Sequence, residues 1–445
     1  MPKPAIQGFA ALRSYNYRLF WFGQLISVTG TWIQRVAQSW LVVDLLAASA
    51  FQLGLVNVLQ MAPILVFGLF AGVVIDRVPK RNLLVVTQSV QAGLAGILAF
   101  LVLTDSVVLW HVYVLAGLLG VANAFDMPTR QAFVSELVDR DIVMNAVALN
   151  SALFNTGRVL GPAIAGVLLA AFGPGICFAI NAASFAAVIV GLLMMQITRR
   201  PALAKGSNFA RLREGLSYVH DTPAILLPLA LVAVVATFGM NFNVWIPLLA
   251  RDAFATGAQG FGFLMTAMGI GSLAGALTLA FRGRTPRRHL MLGGAMLLGT
   301  LEICLAVAGE FQTPVVLGAL VLGGTGFFMT TTTALANTTV QTTAPDELRG
   351  RVMSVYMTVF AGTAPFGSLI AGAVADRFST VVSIALGGIV TLAAAVIFAA
   401  IGLPAVRQRL SPGGRMAAAG IGAAPRGPSA AVPPPPMNLQ EHADD

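Results

Sequence analysis

With 445 residues, 57% of them hydrophobic, only 10% charged and a mean hydropathy of +0.82, the chain lies far from a water-soluble globule, in which about 25% of residues are charged. That excludes a soluble enzyme and reads as an all-α membrane protein with many spans. The net charge of +9 calls for no nucleic acid, because basic loops on one side of a bilayer set topology.

The N-terminus, Met-Pro-Lys-Pro followed by a weakly apolar stretch, lacks the charged, apolar and small-residue order of a cleaved signal, so none is expected. A basic and aromatic entry (Arg13, Tyr15, Tyr17, Arg18) leads into the first apolar run, Leu19 to Leu45. At 1.5 Å rise per residue, about 20 residues cross a ~30 Å hydrocarbon core. The same measure predicts spans over Gln52 to Ile75, Leu83 to Leu103, Val107 to Phe125, Asn145 to Ala171 and Ile176 to Met195. It then predicts Ala224 to Leu249, Gly260 to Ala280, Leu290 to Ala308, Pro314 to Leu335, Val352 to Ala375 and Val381 to Leu403, twelve in all. With the N-terminus in the cytoplasm, every basic residue falls on the inner side except Arg251 and Arg377, outside, and Arg35 and Arg158, within spans. Both termini are therefore expected in the cytoplasm. Cys177 and Cys304 sit in separate apolar runs, so neither a disulfide nor a metal site is expected.

The expected organisation is a cytoplasmic N-terminus (1–18), a six-helix bundle (19–197), a cytoplasmic linker (198–223), a second six-helix bundle (224–404) and a disordered cytoplasmic tail (405–445) with Pro433 to Pro436 in a row. Phe209, Leu212, Leu216 and Val219 recur at helical spacing opposite Arg211, Arg213 and Glu214, which fits a short amphipathic surface helix or a plain linker. An offset of 206 residues lays Gly161 on Gly367, Gly166 on Gly372, Arg81 on Arg287 and Phe172 on Phe378. Units of six spans share one orientation, so the copies are parallel pseudo-repeats about an axis along the membrane normal.

The first span carries a polar stripe, Gln24, Ser27, Thr31, Gln34, Arg35 and Gln38, at steps of three or four. It is either glue between helices or the wall of a solvated cavity. Ser151, Asn155 and Arg158 repeat the pattern in the fifth span, and Arg158 lies at the depth of Arg35. Two such arginines either bind an anionic or oxygen-rich ligand through forked donors or pair with acids, of which Asp44 and Glu302 are the candidates. In the seventh span Asn241 takes the position of Arg35 under the 206 offset, with Trp245 on the same face. Gln34, Arg35, Gln38, Ser151, Asn155, Arg158, Asn241 and Trp245 are thus the candidate substrate-binding residues. Thr325 and Thr330 to Thr333 in the tenth span either face a ligand or bond back to their own helix. Glu302, the one carboxylate placed near mid-membrane, either carries a coupling proton or stays protonated against a neighbouring helix. Pro63, Pro162, Pro247 and Pro365 interrupt spans beside clustered glycines, which suits gating as well as a static bundle. No Gly-x-x-x-x-Gly-Lys-Ser/Thr phosphate loop is present, and His111, His220, His289 and His442 are scattered, so no enzyme and no cofactor is expected.

Gly72-x-x-x-Asp76-Arg77-x-x-Lys80-Arg81 resembles the loop motif between spans two and three of the major facilitator superfamily, with Pro79 where the family usually has glycine. Gly161-Pro162-x-x-x-Gly166 is similar to that family's gating motif of antiporters. Gly30-Thr31-Trp32-x-Gln34-Arg35, Asn123 to Phe133 with Asp126, Pro128 and Arg130, and Asn145 to Ser151 resemble the enterobactin-exporter-like, transmembrane secretion effector branch, which macrolide-efflux and lysophospholipid-flipping relatives approach. The resemblance implies a proton-coupled exporter of a siderophore or drug, working by alternating access as a monomer in a bacterial inner membrane, with membrane lipids and protons as partners. It also implies that Asp76, with Arg77 and Arg81, holds the halves together on the cytoplasmic side; the equivalent of Asp76 in the second half is Arg282. A lysophospholipid flippase is the alternative within transport, and a membrane scaffold or sensor is the alternative outside it.

Overall fold

The computed structural model describes residues 4–196, 216–282 and 288–410. Most of the 198–223 linker, with its proposed amphipathic face up to residue 215, the Arg284 to Arg287 bases and the tail from Ser411 lie outside the described residues, as do the side chains of Asp76 and Arg282. The chain divides into two compact units, Met1–Phe398 and Ala399–Asp445, and the site lies in the first.

Among the described residues the secondary structure is helical throughout. The helices are α1 (Tyr15–Trp40), α2 (Ala50–Arg77), α3 (Lys80–Leu103), α4 (Leu109–Val134), α5 (Val143–Met194), α6 (Pro223–Phe238), α7 (Phe242–Leu248), α8 (Gly257–Arg282), α9 (Arg288–Glu310), α10 (Val315–Thr343), α11 (Asp346–Arg377) and α12 (Thr380–Leu410). Among the described residues, ten segments are long and apolar enough to cross a membrane. One of them, Arg140–Met194, contains a reversal: Gly173 adopts φ +74 ahead of Pro174, a backbone state that favours glycine. Ala146 and Leu192, near opposite ends of α5, join the same core cluster with Tyr17, Phe20 and Phe133. The helix therefore doubles back, and each limb is long enough to span. α1 falls outside the ten because its polar stripe lowers its hydropathy.

α1 packs on α5, α3 on α5 and α4, and α10 on α8 and α9. Two further seams, α2 with α11 and α5 with α8, tie the early helices to the late ones. Small residues set both by letting backbones approach: a Cβ on Gly166 would stand 2.9 Å from Gly262 Cα, and one on Gly54 would stand 2.5 Å from Ser368 O. α2 starts cleanly because Ser49 and Gln52 form a reciprocal capping box. The described non-glycine residues with positive φ fall in matched pairs, Ala47 with Ala255 and Asp105 with Gln312. The closing bonds match as well: Leu46 and Phe254 N–H reach back to Leu41 and Leu249 O, and Ser106 and Thr313 N–H reach back to Leu101 and Ala308 O.

Two expectations change. The fourth span was expected to stop at Phe125, but α4 continues to Val134, because the Asp126 carboxylate finds partners inside the bundle instead of leaving it. The seventh span is interrupted: α6 ends at Phe238, α7 begins at Phe242, and Gly239 to Asn241 are not helical.

Candidate functional site

Arg35 and Arg158 are brought together on the α1–α5 seam, close enough for one charge to act on the other. Gly157 and Gly161 make this possible: a Cβ on Gly157 would meet the Val28 side chain at 2.8 Å, and Gly161 lies against Trp32. The Arg35 guanidinium sits 4.6 Å from the centroid of the Trp32 ring, a cation–π arrangement that holds it without a carboxylate. Neither arginine pairs with an acid among the described residues. Asp44 instead acts on Arg251, and Glu302 is fully buried with neither carboxyl oxygen hydrogen-bonded.

The rest of the α1 stripe turns elsewhere. Gln34 accepts a 2.6 Å bond from Asn181 Nδ2, and Gln34 and Gln38 border a narrow gap against Leu94 and Leu98 of α3 and Val112 and Leu119 of α4. On α5, Ser151 donates to Val147 O and Asn155 to Ser151 O, so both point along the helix that carries Arg158. Asn241 lies in the break after α6, donating to Thr237 O at 2.7 Å. Trp245 is 1% exposed and donates its indole N–H to Ser383 Oγ at 3.0 Å. The structure therefore joins Arg35 to Arg158 and places Asn241 and Trp245 toward α11 and α12. In α10, Thr325, Thr331 and Thr333 donate to carbonyls of their own helix, whereas the Thr330 and Thr332 hydroxyls lack partners. Thr330, Thr333, Asn337, Tyr356 and Phe360 line a cavity of about 400 Å³ between α8, α10 and α11.

Of the loop motif, Gly72 and Arg77 end α2. Lys80 pairs with Glu136 at 2.5 Å, and Arg81 donates to Leu192 O and Leu193 O at 2.5 and 2.7 Å. In the gating motif, Gly161 and Pro162 face α1 and α8, and Gly166 faces Gly262.

Sequence reasoning missed a buried polar cluster. Asp126, fully buried, accepts from Thr87 Oγ1 at 2.9 Å, from Gln88 Nε2 at 2.8 Å and from Arg130. Arg130 also donates to Gln24 Oε1 at 2.6 Å. A buried ion pair is stable when hydrogen bonds satisfy its remaining capacity, and here α1, α3 and α4 all contribute. The readable signal was Asp126-x-x-x-Arg130, a one-turn spacing on a helix, with Gln24 and Gln88 inside apolar runs.

An all-helical bundle with paired interior arginines and interrupted helices defines a multi-pass membrane transporter. More particularly, residues 6–423 match the transmembrane secretion effector family of the major facilitator superfamily, and the chain belongs to it; it is a transporter and not an enzyme. The staphyloferrin A transporter of Staphylococcus aureus (strain NCTC 8325 / PS 47) is 27% identical over 86% of this chain and 95% of that protein. The multidrug efflux pump Tap of Mycolicibacterium fortuitum is 30% identical over 80% and 88%. Among solved structures, the nucleoside transporter NupG superposes with a TM-score of 0.69 at 13% identity, covering 86% of this chain and 98% of that one. An inward-facing bacterial homologue of the lysosomal transporter Spinster gives 0.65 at 16%, covering 93% and 100%.

Proposed function

We propose that the protein is a secondary active exporter, a proton antiporter of a small amphipathic or anionic compound such as a siderophore or drug. The observation that carries this is the Arg35–Arg158 pair. Placing one charge in the membrane interior costs at least about 2.5 to 3.5 kcal/mol on insertion scales, and two like charges without an acid partner call for a ligand that supplies oxygen or negative charge. The siderophore and multidrug relatives support efflux.

The reading includes twelve spans, counting α1 and the two limbs of α5, in two parallel repeats; the paired αL turns support the repeat. Asp376, Arg251 and the stacked Trp40 and Phe261 rings lie where α2 and α8 begin, which supports a state closed at that end; the reading takes that end as the outer one, with both termini in the cytoplasm of a bacterium and the inner membrane around a monomer. The 400 Å³ cavity toward the opposite end would then form part of an inward-open path. Asp76 and its neighbouring bases would close that path in the alternate state, and Glu302 is the candidate proton site.

Reconstitution in proteoliposomes tests the reading. An imposed proton gradient should drive accumulation of at least one catecholate, carboxylate-rich or cationic amphipathic compound from a panel, and Arg35→Ala with Arg158→Ala should abolish it while the protein remains folded. No movement of any panel compound against its gradient would reject the proposal.

A further inference from the structure

A second polar site lies among the late helices, away from the arginines. Glu302 on α9 is 0% exposed and neither of its oxygens has a hydrogen-bond partner. Thr391 on α12 is also 0% exposed with its hydroxyl unpartnered. The two converge on the backbone where α6 stops: a Cβ placed on Gly239 would lie 2.6 Å from Thr391 Oγ1, 3.1 Å from Glu302 Oε1 and 3.2 Å from Val235 O. Gly388 backs the cluster from α12, with the Glu302 Cβ 3.0 Å from the corresponding point.

The electrostatics are one-sided. The C-terminal end of a helix carries about half a negative charge, and α6 directs that end at a carboxyl group. The helices α6, α7 and α10 contain no Asp, Glu, Lys, Arg or His. On α9 the other such groups are Arg288 and His289 at one terminus and Glu310 at the other, and up to Phe398 α12 has none. A buried carboxylate, a hydroxyl and Val235 O, which also accepts the Gly239 N–H, form an oxygen-only donor set, which suits hard cations. One acid sets the charge: a monovalent ion neutralises it, whereas a divalent one would leave a positive charge in the apolar interior.

We propose that Glu302, Thr391 and the backbone break at Phe238 to Gly239 form a binding site for an alkali cation of sodium size, for which protons compete. Discontinuous helices with their C-terminal ends at the ion are a recurrent way for transporters to hold Na⁺ or H⁺. The binding itself stands apart from the exporter reading, and its use as a coupling ion rests on that reading.

The test is thermal unfolding of the purified full-length chain in NaCl against choline chloride at equal ionic strength, at pH 8 and pH 6. Sodium should raise the midpoint saturably at pH 8 and less at pH 6, where protons compete. Glu302→Gln should remove the sodium shift and Thr391→Val should reduce it at least tenfold in apparent affinity. Thr391→Val keeps shape and charge, so it remains informative if Glu302→Gln unfolds. Equal midpoints in sodium and choline at both pH values would overturn the proposal, as would a sodium shift that survives in both variants. Proton-driven export together with equal midpoints in sodium and choline removes this site and leaves the exporter reading standing; a sodium shift of the midpoint without export does the reverse.

Discussion

Where α2 begins, the Asp376 carboxylate at the end of α11 accepts the N–H groups of Ala50 and Phe51 at 2.7 and 3.0 Å, whereas at the other end of the same seam the Lys80 and Arg81 side chains bond within the early helices, to Glu136 and to Leu192 and Leu193. The difference lies in what the charge spans. The first N–H groups of a helix have no intrahelical partner and sit at the positive end of its dipole, so Asp376 joins one helix to the other. Arg251 adds a 2.6 Å bond to Val43 O and Trp40 stacks on Phe261 with centroids 5.7 Å apart. The Lys80 and Arg81 bonds brace α3 against α5 and the turn that follows α4, within the early helices. Both ends nonetheless carry the same short sequence: Gly72-x-x-x-Asp76-Arg77 closes α2, and Gly372-x-x-x-Asp376-Arg377 closes its antiparallel neighbour α11. One pattern of glycine, acid and base therefore closes both of the antiparallel helices.

The largest effect is expected from filling the close approach of α5 and α8. A side chain on Gly262 meets backbone atoms of Gly166 and Pro162, which cannot rotate away as a side-chain tip would. Overpacking costs about 1 to 3 kcal/mol, and backbone neighbours place Gly262→Val at the upper end, roughly a 100-fold shift away from the state closed at the Asp376 end. Spin-label distances between Leu45→Cys and Phe378→Cys, with Cys177 and Cys304 replaced, read that population. An unchanged distance distribution in a stably folded variant would mean that the seam is not what keeps this end shut.

Removing the carboxylate should have an intermediate effect. Hydrogen bonds to a charged group contribute about 1.5 to 3 kcal/mol, reduced here because water can replace them at an exposed helix start. Asp376→Ala should therefore open this end about tenfold in the same spin-label measurement. Arg377→Ala, one residue along on the exposed side, should leave the distances alone. Equal effects from the two substitutions would show that general charge, and not the cap, holds the seam.

Much of the helical fold was legible because its signals are large: apolar runs, and a polar stripe that cannot face lipid. The turn at Gly173 was legible as the gap between the spans ending at Ala171 and starting at Ile176, with Pro174 beside it. Asp126 was misplaced because an acid after an apolar run looks like a membrane exit, and its partners Thr87, Gln88 and Arg130 come together only once α3 and α4 pack. Within the site, Arg35 and Arg158 could be placed together from depth alone. Gln34 could not be separated from Arg35 in the same way, because adjacent residues on a helix point about 100° apart and only the positions of α3, α4 and α5 decide which faces which. The Gly239 break was invisible to hydropathy, since α6 and α7 read as one apolar run.

The smallest effect is expected at Lys80. Its ion pair with Glu136 is partly exposed, at 11% and 38% of the side chains, and pairs of this kind contribute about 0 to 1 kcal/mol. Because both partners belong to the early helices, Lys80→Met should lower the unfolding midpoint slightly and leave the Leu45 to Phe378 distances as they are. The sharper form of the comparison is the double variant with Asp376→Ala: sites this far apart, with no shared partner, should add, so the distance change should equal that of Asp376→Ala alone. If Lys80→Met by itself moves the distances as far as Asp376→Ala does, the bases at that end are coupled to the seam after all, and the two ends differ in geometry but not in role.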